Sequence, residues 1–139
     1  MYEEVYFNAD ATIYTTLVLP NNEQSILIGL SSITRSAIRK SNNGGETWKP
    51  VLDGYNILTL QNGLANSGRV YASGQNDNKK LFVAMSEDYG ETWETLEFEG
   101  SPEELFTKEL IVTEIDGKET LFFGTNKGVY SLTFVERTF

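Results

Sequence analysis

The chain writes one eight-residue stretch twice: Ser41-Asn42-Asn43-Gly44-Gly45-Glu46-Thr47-Trp48 and, 45 residues on, Ser86-Glu87-Asp88-Tyr89-Gly90-Glu91-Thr92-Trp93. Ser, Gly, Glu, Thr and Trp recur at the same places, and the two copies hold both tryptophans of the protein. A period of this length marks a repeated supersecondary unit. Working outward from the first copy, residues 12–18, 25–30 and 36–41 read as β-prone runs before it and 48–52 as one after it, with Pro20-Asn21-Asn22 as a turn. The second copy stands in the same order, among runs at 57–61, 69–74, 81–86 and 93–98. The glycine closing the second run also recurs, as Gly29 and Gly74.

A third unit is partial. Residues 108–115 and 120–124 flank Asp116-Gly117, a two-residue hairpin signal that requires positive φ. Asn126-Lys127-Gly128 then turns the chain into 129–134. Ser131 lies 45 residues after Ser86, yet the pattern fails there, without its glycine or tryptophan. No separate fourth strand follows before Phe139, and the short β-prone run Glu4-Val5-Tyr6-Phe7 is the candidate to supply it. Between the second and third units, Ser101, Pro102 and Glu104 form a helix-start signature, so one helical turn is expected, with Leu105 and Phe106 packing down.

The second copy fits the pattern Ser-x-Asp-x-Gly-x-Thr-Trp, and the chain resembles the Asp-box β-propellers, built on the bacterial neuraminidase repeat. The first copy departs once, with Asn43 in place of Asp. The resemblance implies an all-β fold: a β-propeller of four-stranded antiparallel blades, about three per chain. These are two full blades, at 11–53 and 55–99, and an incomplete third at 108–135 completed by the strand at 4–7, all in a single segment over residues 1–139. Propellers usually have about four to eight blades. The expected partners are therefore a second copy, in a homodimer closing a ring of about six blades by exchange of residues 4–7, or the missing blades of a larger chain. The resemblance also points to a secreted or periplasmic protein, although the acidic start Met1-Tyr2-Glu3-Glu4 has no basic leader.

In this reading Ser41, Asn43, Gly45, Thr47 and Trp48, and likewise Ser86, Asp88, Gly90, Thr92 and Trp93, each hold a hairpin. The carboxylate and hydroxyls satisfy loop amides, glycine takes a backbone conformation that other residues resist, and tryptophan fills the gap between sheets. Asn43 is a neutral and hence weaker acceptor, so the first loop should be the looser one. A structural role outweighs a catalytic, sugar-contacting or calcium-binding one, because a calcium loop needs more oxygen ligands in close succession. In the families resembled, the binding site lies on the opposite face. That directs attention to the loops at 31–35, 53–56, 75–80 and 99–107, with Arg35, Gln75, Asn76, Asp77 and Asn78 as candidate contacts for a protein or carbohydrate ligand.

Composition narrows the chemistry. At 139 residues, 40% hydrophobic and 12% aromatic, the chain supports one domain with a real core. A formal charge of −9, with only Arg35, Arg39 and Lys40 clustered, excludes a phosphate-tracking nucleic-acid surface. The absence of Cys and His removes disulfides, thiolate and histidine metal sites, and triad catalysis, so neither a cofactor nor a metal is expected. No apolar run approaches the ~20 residues of a membrane helix.

Some Asp-box propellers are sialidases, which use an arginine cluster, a tyrosine nucleophile with a glutamate partner, and an acidic proton donor. The four arginines here, Arg35, Arg39, Arg69 and Arg137, fall at different places in the strand pattern. A glycosidase carboxylate pair would leave no local mark in the sequence. The sequence alone therefore reads as a non-catalytic binding or assembly scaffold for a protein or glycan. Its alternatives are a fragment of a sialidase-like glycoside hydrolase and an assembly-factor-type propeller. Convergence of Arg35, Arg39 and Arg69 on one pocket would favour an enzyme.

Overall fold

The computed structural model describes residues 3–4, 11–20, 24–32, 36–54, 56–64, 68–76, 80–96 and 107–133. Among these are eleven strands and no helix: β1 (Ala11–Val18), β2 (Ile26–Ser32), β3 (Ser36–Ser41), β4 (Lys49–Asp53), β5 (Asn56–Asn62), β6 (Val70–Gln75), β7 (Leu81–Ser86), β8 (Glu94–Leu96), β9 (Thr107–Ile115), β10 (Lys118–Thr125) and β11 (Gly128–Thr133). Of the strand expected at 4–7 only Glu4 is described, and it belongs to no strand; residues 5–7 and the helical turn expected after Ser101 lie outside the described residues.

The strands form three antiparallel sheets, ordered β1-β2-β3-β4, β5-β6-β7-β8 and β11-β10-β9. Each is a meander, because strands consecutive in the chain are neighbours in the sheet. Asp116 and Gly117 both take positive φ, 53° and 78°, the primed geometry that matches the twist of two strands joined by a two-residue loop. In each four-stranded sheet the first strand carries a bulge near the recurring glycine, between Ile13 and Thr15 opposite Gly29, and between Ile57 and Thr59 beside Gly74. The glycines are there for space. A Cβ on Gly74 would stand 1.8 Å from the Asn56 carbonyl oxygen, and one on Gly29 would stand 2.7 Å from side-chain carbons of Ile57 and Thr15.

The second sheet is the middle layer, and period-2 alternation divides its side chains between two cores. Val70 and Ala72 of β6 and Phe82 and Ala84 of β7 face the first sheet, packing with Leu27, Ala37 and Ile38. Tyr71, Leu81, Val83 and Met85 face the third, packing with Leu110, Leu121 and Phe123. Buried on both sides, β7 reads as the unbroken apolar run Leu-Phe-Val-Ala-Met.

The all-β expectation agrees with this architecture, and the propeller expectation is corrected by it. The three sheets are separate, and none closes on itself. Among the described residues no strand of the first is hydrogen-bonded to a strand of the third, because the middle sheet stands between them. A ring needs its first and last sheets to meet. Nothing in the described residues supports the expected homodimer or any other self-association that would complete one. Among the described residues no helix is long and apolar enough to cross a membrane.

Candidate functional site

The two octapeptides form β-hairpin loops, β3 to β4 and β7 to β8, with one hydrogen-bond plan. Ser86 Oγ donates to Asp88 Oδ1 (2.7 Å) and accepts from the Gly90 amide (2.8 Å). Asp88 Oδ1 also accepts from the Thr92 amide (2.8 Å), and Oδ2 accepts from the Thr92 hydroxyl (2.5 Å). In the first loop Ser41 Oγ donates to Asn43 Oδ1 (3.0 Å) and accepts from the Gly45 amide (2.8 Å), while the Thr47 amide donates to Asn43 Oδ1 (2.9 Å). One polarity is reversed: Asn43 Nδ2 donates to the Thr47 hydroxyl (2.8 Å), which therefore accepts instead of donating.

Both loops put two consecutive residues in the left-handed region, Gly44 and Gly45 at φ 70° and 95°, Tyr89 and Gly90 at 59° and 85°. A Cβ on Gly90 would meet Leu27 at 2.9 Å, so the second loop lies close against the first sheet. The tryptophans are half-buried and do not fill the core. Each indole N–H caps its own loop, Trp48 on the Gly45 carbonyl (3.0 Å) and Trp93 on Gly90 (2.9 Å). Trp93 also leans on the first core.

At this same end of the sheets stand two ionic clamps that the sequence reading missed. Between the first and second sheets, Lys40, only 4% exposed, donates to Glu91 Oε1 (2.9 Å) and to the Tyr89 carbonyl (2.8 Å), and Lys49 donates to Glu91 Oε2 (2.5 Å). These lysine bonds hold the Glu91 carboxyl below its ordinary value, against a smaller opposing effect of burial.

Between the second and third sheets, Glu119 of β10 is gripped by three donors. Oε2 accepts from Arg69 Nη1 (3.0 Å) and the Tyr71 hydroxyl (2.5 Å), and Oε1 accepts from the Leu64 amide (2.6 Å). Gly63 makes the room, since a Cβ there would stand 2.9 Å from Glu119 Oε1. Arg69 Nη2 also reaches Glu87 of the second octapeptide (2.8 Å). Burial pushes Glu119 up, but the Tyr71, Leu64 and Arg69 bonds outweigh it and hold the carboxyl low. Burial and then the Glu119 bond push the Tyr71 phenol up, so it stays protonated. Burial also opposes charge on Arg69, and its bonds to Glu87 and Glu119 more than restore it.

This cluster pairs a tyrosine with a glutamate beside an arginine, the groups a tyrosine-nucleophile glycosidase needs. Tyr71 is fully buried, however, and no sugar can reach its oxygen. Glu119 and Glu91 are held ionised, as is Asp88, where burial is outweighed by bonds from Thr92 and Ser86. A general acid needs the opposite shift. The two clamps therefore join sheet to sheet, and their carboxylates lack the raised pKa of a proton donor.

The candidate ligand contacts are only partly visible. Gln75 ends β6 and Asn76 closes the turn to β7, its side-chain oxygen accepting from the Lys80 amide (3.0 Å) and its amide donating to the Lys80 carbonyl (2.9 Å). Arg35, Asp77 and Asn78 lie outside the described residues. Arg39 sits on β3 of the first sheet, while Arg69 is engaged between the second and third, so these two arginines do not share a pocket. Among the described residues no group of three or more acidic side chains is placed to hold a metal ion. The clamps escaped sequence reading because their partners stand about 50 residues apart with no motif linking them.

No protein-family model matches the sequence, and no curated protein matches it. Several solved structures are similar, two GH74 enzymes among them. A crystal structure of an ancestral GH74 enzyme matches with TM-score 0.63 and 20% identity, over 86% of this chain and 17% of its own. The GH74 xyloglucanase of Xanthomonas campestris matches with TM-score 0.55 and 13% identity, over 88% of this chain and 21% of its own. The chain thus spans about one fifth of the structures it resembles, and the likeness is one of fold. These findings replace the Asp-box propeller assignment, which no family model supports. They also correct the non-catalytic scaffold reading: the two structures named are GH74 enzymes, so the likeness gives that reading no support.

Proposed function

We propose that the chain is a sheet segment of a glycoside hydrolase acting on a glucan polymer of the xyloglucan type. The observation that carries this reading is the fold likeness to two GH74 structures over more than four fifths of the chain. The chemistry of the two ends is consistent with it. At the octapeptide end Lys40, Lys49, Arg69, Glu91 and Glu119 are spent on holding sheets together. The Gln75–Asn76 turn at the other end offers amide groups of the kind that hydrogen-bond sugar hydroxyls. Glu91, Glu119 and Asp88 are held below the ordinary carboxylate range, the opposite of the shift a proton donor needs, so on this reading the acid is to be sought elsewhere. A polymeric glucan does not enter cells, so the same reading places the protein outside the cytoplasm.

The test is release of reducing ends from xyloglucan by the purified protein, run beside native electrophoresis in gels containing xyloglucan. Turnover with retardation in the xyloglucan gel supports the reading, and Gln75→Ala should weaken the retardation. Absence of both turnover and retardation refutes it.

A further inference from the structure

We propose that Asn43-Gly44 is a modification site, a deamidation point that the folded hairpin holds shut and whose aspartate product fits a nest already built for it. Asn-Gly is the dipeptide in which ring closure meets least obstruction, because glycine has no Cβ beside the attacking nitrogen. In the reaction the Gly44 amide nitrogen loses its proton to a solvent base and attacks Asn43 Cγ. The bond from Cγ to Nδ2 breaks and ammonia leaves. Water then opens the succinimide to aspartate or isoaspartate.

Both partners in that step are restrained here. The Gly44 amide donates to the Gln24 carbonyl at 2.9 Å. Asn43 Cγ is fixed by the Ser41 hydroxyl (3.0 Å) and the Thr47 amide (2.9 Å) on Oδ1, and by the Thr47 hydroxyl (2.8 Å) on Nδ2. The nitrogen must leave one partner and the carboxamide three before they can meet. Local opening of the hairpin is therefore required.

The second loop shows what the product would find. It holds Asp88 by the same serine hydroxyl, threonine amide and threonine hydroxyl, at 2.7, 2.8 and 2.5 Å. An aspartate at position 43 needs only rotation of the Thr47 hydroxyl from acceptor to donor. Isoaspartate, with an extra backbone atom, breaks the loop register.

The test compares the folded protein with the same protein in urea, both in mildly alkaline buffer, by peptide mass spectrometry at Asn43. Deamidation at least ~tenfold slower in the folded protein supports the proposal, and equal rates overturn it. Thr47→Val, at an exposed position, should speed deamidation of the folded protein while Thr92→Val leaves it unchanged; a rate indifferent to Thr47→Val overturns the restraint. Asn43→Asp should raise the thermal midpoint, and a lowered midpoint overturns the fit of the product.

Discussion

Glu119→Gln tests the clamp between the second and third sheets with almost no change of shape. Every contact of the carboxylate is with a donor: the Leu64 amide on one oxygen, Arg69 and the Tyr71 hydroxyl on the other. Glutamine has one oxygen, so in either orientation its NH2 group faces a donor. The orientation that keeps Arg69 and Tyr71 satisfied abandons the Leu64 amide and replaces a charge-assisted bond with a neutral one. A hydrogen bond to a charged group contributes about 1.5–3 kcal/mol and a neutral one about 1. Leu64 is exposed enough for water to replace its partner, which limits that part of the loss. Arg69 keeps Glu87. The expected cost is ~2–3 kcal/mol, a fall of ~6–12 °C in Tm for a chain of this size. Urea unfolding followed by tryptophan fluorescence reads it as a lower midpoint at unchanged slope. Glu87→Gln is the control. Its carboxylate is 62% exposed, and as a surface partner it should cost less than ~1 kcal/mol. A Glu119→Gln loss below ~0.5 kcal/mol, or one no larger than that of Glu87→Gln, refutes the reasoning.

The clamps also set the acid limb of stability. Glu91 and Glu119 are held below their ordinary 4.5, so near that pH the unfolded chain binds protons that the folded one does not, and stability rises with pH. Their contribution is full above about pH 4.5 and is lost as pH falls through the depressed folded values. Tm measured from neutral to acid pH should fall less steeply in Glu119→Gln than in the wild type, and parallel curves contradict this. Gly74→Ala should prevent folding or cost more than ~3 kcal/mol, since its Cβ would overlap the Asn56 carbonyl; near-native circular dichroism and Tm would show that the backbone yields. Trp93→Ala should cost ~2–3 kcal/mol, less than a full core truncation because the ring is half-buried. It should also exceed Trp48→Ala by urea titration, since Trp93 packs on the first core.

The hairpins and strands were legible in the sequence because their causes are local. Ser86 reaches Asp88 and Gly90, and Asp88 reaches Thr92, all within four residues, so the repeated octapeptide carries its own hydrogen-bond plan. The primed turn at Asp116-Gly117 likewise depends on two residues tolerating positive φ. The recurring Gly29 and Gly74 were visible as a pattern, but their reason was not. It lies in β1 and β5, whose Thr15, Ile57 and Asn56 crowd the space where a Cβ would stand.

Only the tertiary structure decided how the sheets associate. Alternation along β6 and β7 is hidden by burial on both faces, and it took two opposing cores to show that the second sheet lies between the other two and prevents them from meeting. The two clamps were equally invisible. Lys40 and Glu91, or Arg69 and Glu119, meet because separate sheets pack in one register, and charges that pair across 50 residues leave no periodicity for a sequence to display. Local bonds write themselves into short patterns, whereas closure and ion pairing depend on the sum of many weak contacts between distant residues.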